Sequence, residues 1–284
     1  MVRAAEGRPG PAAGQRVVVE PTLPCWGCKQ CRAGRENLCE NLAFFGCGYP
    51  QGGMADAFTI AVDRLHAVPD ELDDRQAVHI EPLSTPVHAV RLAGPLAAKA
   101  VAVLGAGTIG LLVLSVALAH GAARAVATDL RESTSAAGHS TWGAHAVVDA
   151  GRADIVDEVR RSLGESADVV FDCVAGQQTV SQAIGIALKA GTVVVVGVPV
   201  GDVTVPLPVV QDQQVRIQGS ATYLAEDFAE AVDLLRREVV RQEDFITGVY
   251  ALDDVTEAFA AAGQGEHVKV VVTAGAPWEH PAHA

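Results

Sequence analysis

The sequence predicts an α/β protein: a doubly wound parallel sheet in mid-chain, flanked by a β-rich second domain that both chain ends build. Three observations lead there. Short apolar runs in the middle of the chain alternate with helical patterns, as in a parallel sheet covered on both faces. One of these runs passes through the glycine loop "GAGTIG" into a long apolar helix pattern. Past the last run, "EDFAEAVDLLRRE", "GVYAL", a helix from Asp253 to Ala262 and "VKVVVT" read as a return to the domain begun at the amino terminus. The expected division is 1–86, 87–222 and 223–284, the middle segment binding a dinucleotide. At 284 residues the chain is long enough for two domains with proper cores.

With 49% hydrophobic and 19% charged residues the composition is that of a globular protein. A formal charge of -13 gives no electrostatic footprint for nucleic acid or for an anionic membrane, so the expected partners are small molecules. The opening "MVRAAEGRPGPAAGQR" has charges and prolines where a signal peptide needs an apolar core, and a cytoplasmic protein is expected. No apolar run is as long as a membrane span.

Four of the six cysteines crowd into "CWGCKQCRAGRENLC", as Cys25, Cys28, Cys31 and Cys39. A reducing compartment disfavours structural disulfides, and C-x2-C-x2-C-x7-C in a turn-rich loop suits thiolates converging on a tetrahedral zinc. Gly27 and Gly34 supply turns. The iron–sulfur alternative would continue with a three-residue gap and a Cys-Pro, whereas here the gap is seven and Glu40 follows. Unligated thiols are the bland alternative.

The glycine loop has the strand, turn and helix context of a dinucleotide fingerprint. Gly105 permits the tight turn, Gly107 lets the backbone approach a pyrophosphate, and Gly110 lets the helix pack on the strand. Thr108 and Ile109 complete the cofactor loop. "RAVATDL" reads as the next strand and ends in Asp129, nineteen residues beyond Gly110. A carboxylate there accepts hydrogen bonds from the ribose hydroxyls and repels a 2′-phosphate, which favours NAD over NADP. "AHAVVD", "ADVVFDCV", "TVVVVGVP" and "VRIQGS" follow as buried strands, with helical patterns near "DIVDEVRRSL" and "TVSQAIGIALK" between them. With the cofactor across the carboxyl ends of the strands, Val174 and Ala175 border the adenosine, and Val198 and Pro199 lie nearer the nicotinamide.

Taken in order, these motifs resemble the zinc-containing medium-chain alcohol dehydrogenases, in the branch of polyol, butanediol and threonine dehydrogenases. The resemblance rests on "GQRVVVEPTLPCWGCKQCRAGRENLC", "GGMADAFTI", "EPLSTPVHAV", "GAGTIG" with Asp129, "GSATYLAEDFAEAVDLL" and "HVKVVV", and covers nearly the whole chain. It implies a Rossmann sheet plus an incomplete GroES-like catalytic domain, with the four cysteines holding a structural zinc in a projecting lobe. It also implies NAD as cofactor, a homo-oligomer, and hydride transfer between a secondary alcohol or diol and NAD, promoted by a second, catalytic zinc. Glu81 of "EPL" matches a later residue of the catalytic-zinc site, as a ligand or as the holder of the metal-bound water. Read from sequence alone, the alternative for Glu81 is a solvated acid before a proline turn.

The family's earlier Cys and His-Glu ligands have no counterpart, since no cysteine or histidine precedes Cys25. The chain therefore reads as beginning inside the catalytic domain, about 60 to 70 residues short of a domain of ordinary size. A start codon assigned too late and a genuine shortening both remain open. So does a catalytically impaired NAD-binding pseudoenzyme; a zinc-ribbon interaction module is the remaining rival. Cys47 reads as a lone loop thiol and Cys173 as core. His79 and His88 flank "EPL" and read as packing residues, and His280 and His283 as solvated tail. "GSATY" at 219–223, with Ala221 and Thr222 where sorbitol-type members carry an aromatic and Arg pair, leans toward small secondary alcohols or vicinal diols.

Overall fold

The computed structural model describes residues 10–130 and 142–275. His280 and His283 lie outside them. The chain forms two compact units, one of 1–82 with 224–284 and one of 83–223. No helix among the described residues is long and apolar enough to cross a membrane.

In the first unit β1 (Val17–Val19) leads to β2 (Thr22–Leu23). The chain then runs out through residues 24–42 and returns as β3 (Ala43–Phe44), antiparallel to β2. The cysteine stretch is thus a lobe strung between two paired strands. β4 (Leu65–Ala67) closes antiparallel on β1. At the foot of the lobe the fully buried Glu20 carboxylate accepts hydrogen bonds from Thr22 Oγ1 at 2.8 Å and Arg64 at 2.5 Å, and meets His66 Nε2 at 2.8 Å. Burying this carboxylate is tolerable because both of its oxygens are engaged.

The second unit is a six-stranded parallel sheet of β5 (Ala100–Leu104), β6 (Arg124–Asp129), β7 (Ala146–Asp149), β8 (Ala167–Asp172), β9 (Ala187–Val195) and β10 (Arg216–Gly219), in the order β10-β9-β8-β5-β6-β7. The order reverses between β5 and β8, the topological switch point where open α/β sheets bind ligands at the carboxyl ends of their strands. The doubly wound sheet expected from the sequence is therefore present. β5 is buried at every position, as a strand covered on both faces must be. Helices Thr108–Ala119, Ile155–Leu163 and Gln177–Ile186 connect the strands. Leu163, Val159, Ile155, Val180 and Ile184 join Val126, Val170 and Val193 in one apolar cluster.

Three local readings are corrected. "VRIQGS", expected as a buried strand, forms β10 at the edge of the sheet and is exposed at all four positions, because it has a neighbour on one side alone among the described residues. The residues around "EPL" form no turn: Ile80–Ala93 is a helix, with Glu81 and Pro82 in its first turn and Pro86 inside it. Proline at a helix start costs no hydrogen bond, and Ile80, Leu83, Val87 and Val90 recur at helical spacing and are buried. The end of "TVSQAIGIALK" is strand rather than helix. Ala187 opens β9 by pairing with Ala167, and Ala190 takes φ +63°, which no helix accommodates. Back in the first unit, helix Ala225–Arg236 precedes β11 (Ile246–Ala251), and helix Val255–Gln264 leads to β12 (Lys269–Thr273), parallel to β11.

Candidate functional site

Two places in the fold have the chemistry of a site, one in each unit. In the lobe, the ligand atoms of Cys25, Cys28, Cys31 and Cys39 all lie within 4.8 Å of one another. The Sγ of Cys28 is 3.5 Å from that of Cys31 and 3.9 Å from that of Cys39. Those separations are too long for a disulfide and bracket the roughly 3.8 Å edge of a sulfur tetrahedron with zinc–sulfur bonds of about 2.3 Å. The chain earns this geometry locally. Cys28 caps the one-turn helix Lys29–Arg32, its sulfur accepting the Cys31 N–H at 3.5 Å. Gly34, at φ +70°, turns the chain out of that helix. Cys39 Sγ accepts the backbone N–H groups of Cys25 at 3.2 Å and Asn41 at 3.3 Å.

Such N–H···S bonds stabilise thiolates, the form that binds metal. The Cys25 thiol is brought down to about 6, first by the backbone N–H of Gly27 and then by Cys39. Burial, reinforced by its cysteine neighbours, pushes Cys31 up to about 12. Four negative sulfurs cannot share this volume without a cation, and the donor set fits zinc. Among the described residues this is the single cluster of metal-binding type. Cys47 is an exposed loop thiol outside it. Cys173, just past β8, has its thiol pushed up by desolvation, which leaves it an inert packing group.

Glu81 stands apart from the cysteines, half-buried in the first turn of its helix, with the Lys269 ammonium as its charged neighbour. Among the described residues no group of three or more metal-binding side chains includes Glu81, so the donor set of a second metal is incomplete there. His88 is buried in the same helix.

His79 is fully buried, its ring edge-on to Phe245. Its Nδ1–H donates to the Arg75 carbonyl at 2.9 Å, while Nε2 finds no hydrogen-bond partner among the described residues. Burial, followed by the charge of Lys269, holds the ring down at about 4 against an ordinary 6.5. The unfolded chain therefore takes up a proton near pH 6.5 that the folded chain refuses until about pH 4. Stability is intact above 6.5 and drains as pH falls toward 4, by about 3 kcal/mol over that window. Urea unfolding of the parent and of His79→Gln across this range checks the expectation: the variant loses less stability on acidification. Parallel losses would refute it.

In the second unit the glycine loop joins β5 to helix Thr108–Ala119. Gly105 has φ +88°, and a Cβ on it would lie 2.6 Å from Val174 Cγ2. A Cβ on Gly110 would sit 1.8 Å from the Gly105 carbonyl oxygen, so the helix starts where only glycine fits. Gly107, the N-cap, has nothing within 4 Å of its Cβ position, which leaves open space at the helix amino end for an anion. Thr108 and Ile109 form the first helical positions.

Asp129 ends β6, and its Oδ2 accepts the Ala106 N–H at 2.9 Å, tying the carboxylate to the glycine loop. Beside it opens a cleft of about 150 Å³, lined by Gly105, Asp129, Leu130, Val174, Thr179 and Gln182. Val174 is exposed at its edge, and Ala175 is buried at φ +59°. Val198 and Pro199 stand exposed in the loop after β9. These residues ring the carboxyl ends of the strands and fit a dinucleotide.

Three contributors escaped the sequence reading. Asp172, fully buried at the end of β8, accepts the N–H groups of Val174 at 3.0 Å and Ala175 at 2.8 Å and the Thr179 hydroxyl at 3.0 Å. It thereby fixes the turn that lines the cleft and holds Ala175 in its left-handed conformation. Gly197 packs so closely on this turn that a Cβ would lie 2.6 Å from the Val174 carbonyl carbon. Gln177 reaches across to the loop after β9. The acid closing an apolar strand was a usable signal for Asp172; the other two depend on how separate segments meet.

Comparison with known proteins agrees with both halves. Residues 2–70 match the family model described as alcohol dehydrogenase GroES-like domain, and residues 108–237 match zinc-binding dehydrogenase. D-xylulose reductase A of Aspergillus niger is 30% identical over 264 residues, covering 91% of this chain and 74% of the relative. The structure of 2R,3R-butanediol dehydrogenase from Bacillus subtilis superposes with a TM-score of 0.86 at 28% identity, covering 95% of this chain and 77% of that one. A protein from Sinorhizobium meliloti 1021, described as a zinc-binding dehydrogenase and bound to NADP, gives 0.84 at 29%, covering 92% and 78%. The zinc-compatible lobe, the dinucleotide-compatible cleft and the relatives agree: the chain belongs to the zinc-containing medium-chain alcohol dehydrogenases, an oxidoreductase family working with zinc and NAD(P).

Proposed function

We propose that the chain transfers hydride between a secondary alcohol or vicinal diol and NAD. The observation that carries the cofactor choice is Asp129, hydrogen-bonded to the glycine loop beside the cleft. A carboxylate there favours free ribose hydroxyls over a 2′-phosphate. The lean toward polyols and diols is supported by relatives named for D-xylulose and 2R,3R-butanediol. Those names are of a reductase and a dehydrogenase, which favours an active enzyme over the impaired alternative.

In this reading Cys25, Cys28, Cys31 and Cys39 hold a structural zinc, whose role is to fold the lobe. Gly105, Gly107, Thr108, Ile109 and Gly110 cradle the pyrophosphate, Val174 and Ala175 border the adenosine, and Val198 and Pro199 approach the nicotinamide. The bound nicotinamide supplies the hydride-accepting carbon, while the chain's residues orient it and exclude water. Glu81 is assigned to the reacting end, as a zinc ligand or as the holder of a metal-bound water. Free, closely spaced thiols suit the reducing cytoplasm. A homo-oligomer is proposed through β10, a sheet-edge strand exposed at all four positions, with Ile217 on it and no second ladder partner among the described residues.

The test is reduction of NAD and of NADP by the zinc-loaded protein on a panel of secondary alcohols, diols and polyols, with calorimetric titration of both reduced cofactors. Turnover with NAD and tighter binding of NADH are expected. Charge-assisted hydrogen bonds of about 1.5–3 kcal/mol imply that Asp129→Ala narrows the NADH preference by about ten- to a hundredfold. No turnover on any alcohol would refute the activity, and an unchanged preference in Asp129→Ala would refute the role given to that carboxylate.

A further inference from the structure

The loop after β9 is fastened at two points. At its start Gly197 lies against the Val174 backbone, and at its far end Val203 and Val205 pack on the apolar cluster of the sheet. Between them Val198 and Val200 project into solvent, 87% and 107% exposed. At the far end one side chain binds the loop's backbone: Gln177 Oε1 accepts the Thr204 N–H at 2.8 Å, and Gln177 Nε2 donates to the Thr204 carbonyl at 3.0 Å. The amide thus pairs with Thr204 as a neighbouring strand would, satisfying both of its backbone groups. Ser181 Oγ, one turn along, takes the other Nε2 hydrogen at 3.2 Å and holds the amide in orientation.

Gln177 is also the first residue of helix Gln177–Ile186, whose next two residues, Gln178 and Thr179, line the cleft beside Asp129. One side chain therefore links the start of the helix on the adenosine side to the root of the loop assigned to the nicotinamide side. We propose that Gln177 is a positioning residue, presetting the loop of Val198 and Pro199 for the nicotinamide half of the dinucleotide. The inference rests on the dinucleotide reading above and adds to it a residue that touches neither cofactor nor substrate. Its physical basis is preorganisation: a loop already held in its bound conformation loses less freedom when the ligand arrives.

The consequence is a split that a merely structural residue would not produce. Removing the amide frees the loop root, which burdens binding of the whole dinucleotide but not of a ligand occupying the adenosine end alone. The experiment titrates NADH and, separately, AMP into the parent, Gln177→Ala and Gln177→Met, the last keeping the side chain's length without its hydrogen bonds. Two exposed hydrogen bonds of modest net worth lead to NADH binding about three- to tenfold weaker in both variants, with AMP affinity unchanged. NADH bound as tightly by both variants as by the parent overturns the inference alone. AMP weakened as much as NADH also overturns it, by showing a general disturbance of the helix start. A parent that binds neither ligand overturns the dinucleotide reading and this inference with it.

Discussion

The purified protein is expected to carry about one zinc per chain, and to lose the fold of residues 24–42 when a chelator strips that metal or Cys39 is replaced by Ala. The lobe has little else to hold it. Its short helix spans Lys29–Arg32, the buried residues of the stretch are few, Cys31 and Cys39 among them, and Trp26 and Leu38 are about half exposed. A segment with so small a core cannot offset the backbone entropy of nineteen ordered residues, at about 1–2 kcal/mol each, by burial alone. Structural zinc contributes an apparent 10–16 kcal/mol in comparable small sites and adds it to what the small core provides. Because protons compete for the thiolates, retention of the metal weakens as pH falls. Elemental analysis with limited proteolysis reads the outcome. Iron in place of zinc, or a stripped lobe that still resists protease, would overturn the assignment.

Gly110→Ala should be the most damaging single methyl in the sheet unit. The added carbon would meet a backbone carbonyl at 1.8 Å, and backbone cannot swing aside as a side-chain tip can. Helix Thr108–Ala119 must shift off β5. That costs about 1–3 kcal/mol or more by the usual measure of overpacking, and it moves the helix amino end away from the place proposed for the pyrophosphate. NADH affinity and the unfolding midpoint are expected to fall together. Gly107→Ala supplies the contrast, since its methyl enters open space. Its midpoint should stay at the parent value while NADH binding weakens, because the space it fills is the one assigned to the cofactor. If Gly107→Ala bound NADH normally, the anion would have to lie elsewhere.

The contrast also marks what a linear sequence can disclose. The glycine spacing, the cysteine spacing and the buried strands are periodic or local, so β5, β6, β8 and the lobe could be read directly. Helix Ile80–Ala93 was hidden by Pro82 and Pro86, which imitate a turn, although the burial of Ile80, Leu83, Val87 and Val90 obeys helical spacing. The opening of β9 was hidden by Ala187 and Lys189, residues with good helix propensity that pairing with β8 overrides. The place of Asp129 beside the glycine loop could be read, because it depends on a short spacing along the chain. Gly197 and Gln177 could not, since their importance lies in the segments they meet, Val174 and Thr204, well away in sequence.

The first unit is discontinuous, and that sets an order of events during synthesis. His66 stacks on Phe228, with ring centroids 4.1 Å apart, and His79 packs on Phe245, so residues near the start wait for partners more than 160 positions later. The sheet unit, Leu83–Tyr223, is one uninterrupted stretch and can fold as it leaves the ribosome. The 61 residues from Leu224 onward then take about 3–12 s to emerge at 5–20 residues per second. Until they do, the amino-terminal half-unit stands open and four reduced thiols are on offer. The growing chain is then most exposed to oxidants and to competing metals, so the supply of free zinc at the ribosome bears on the yield of folded enzyme.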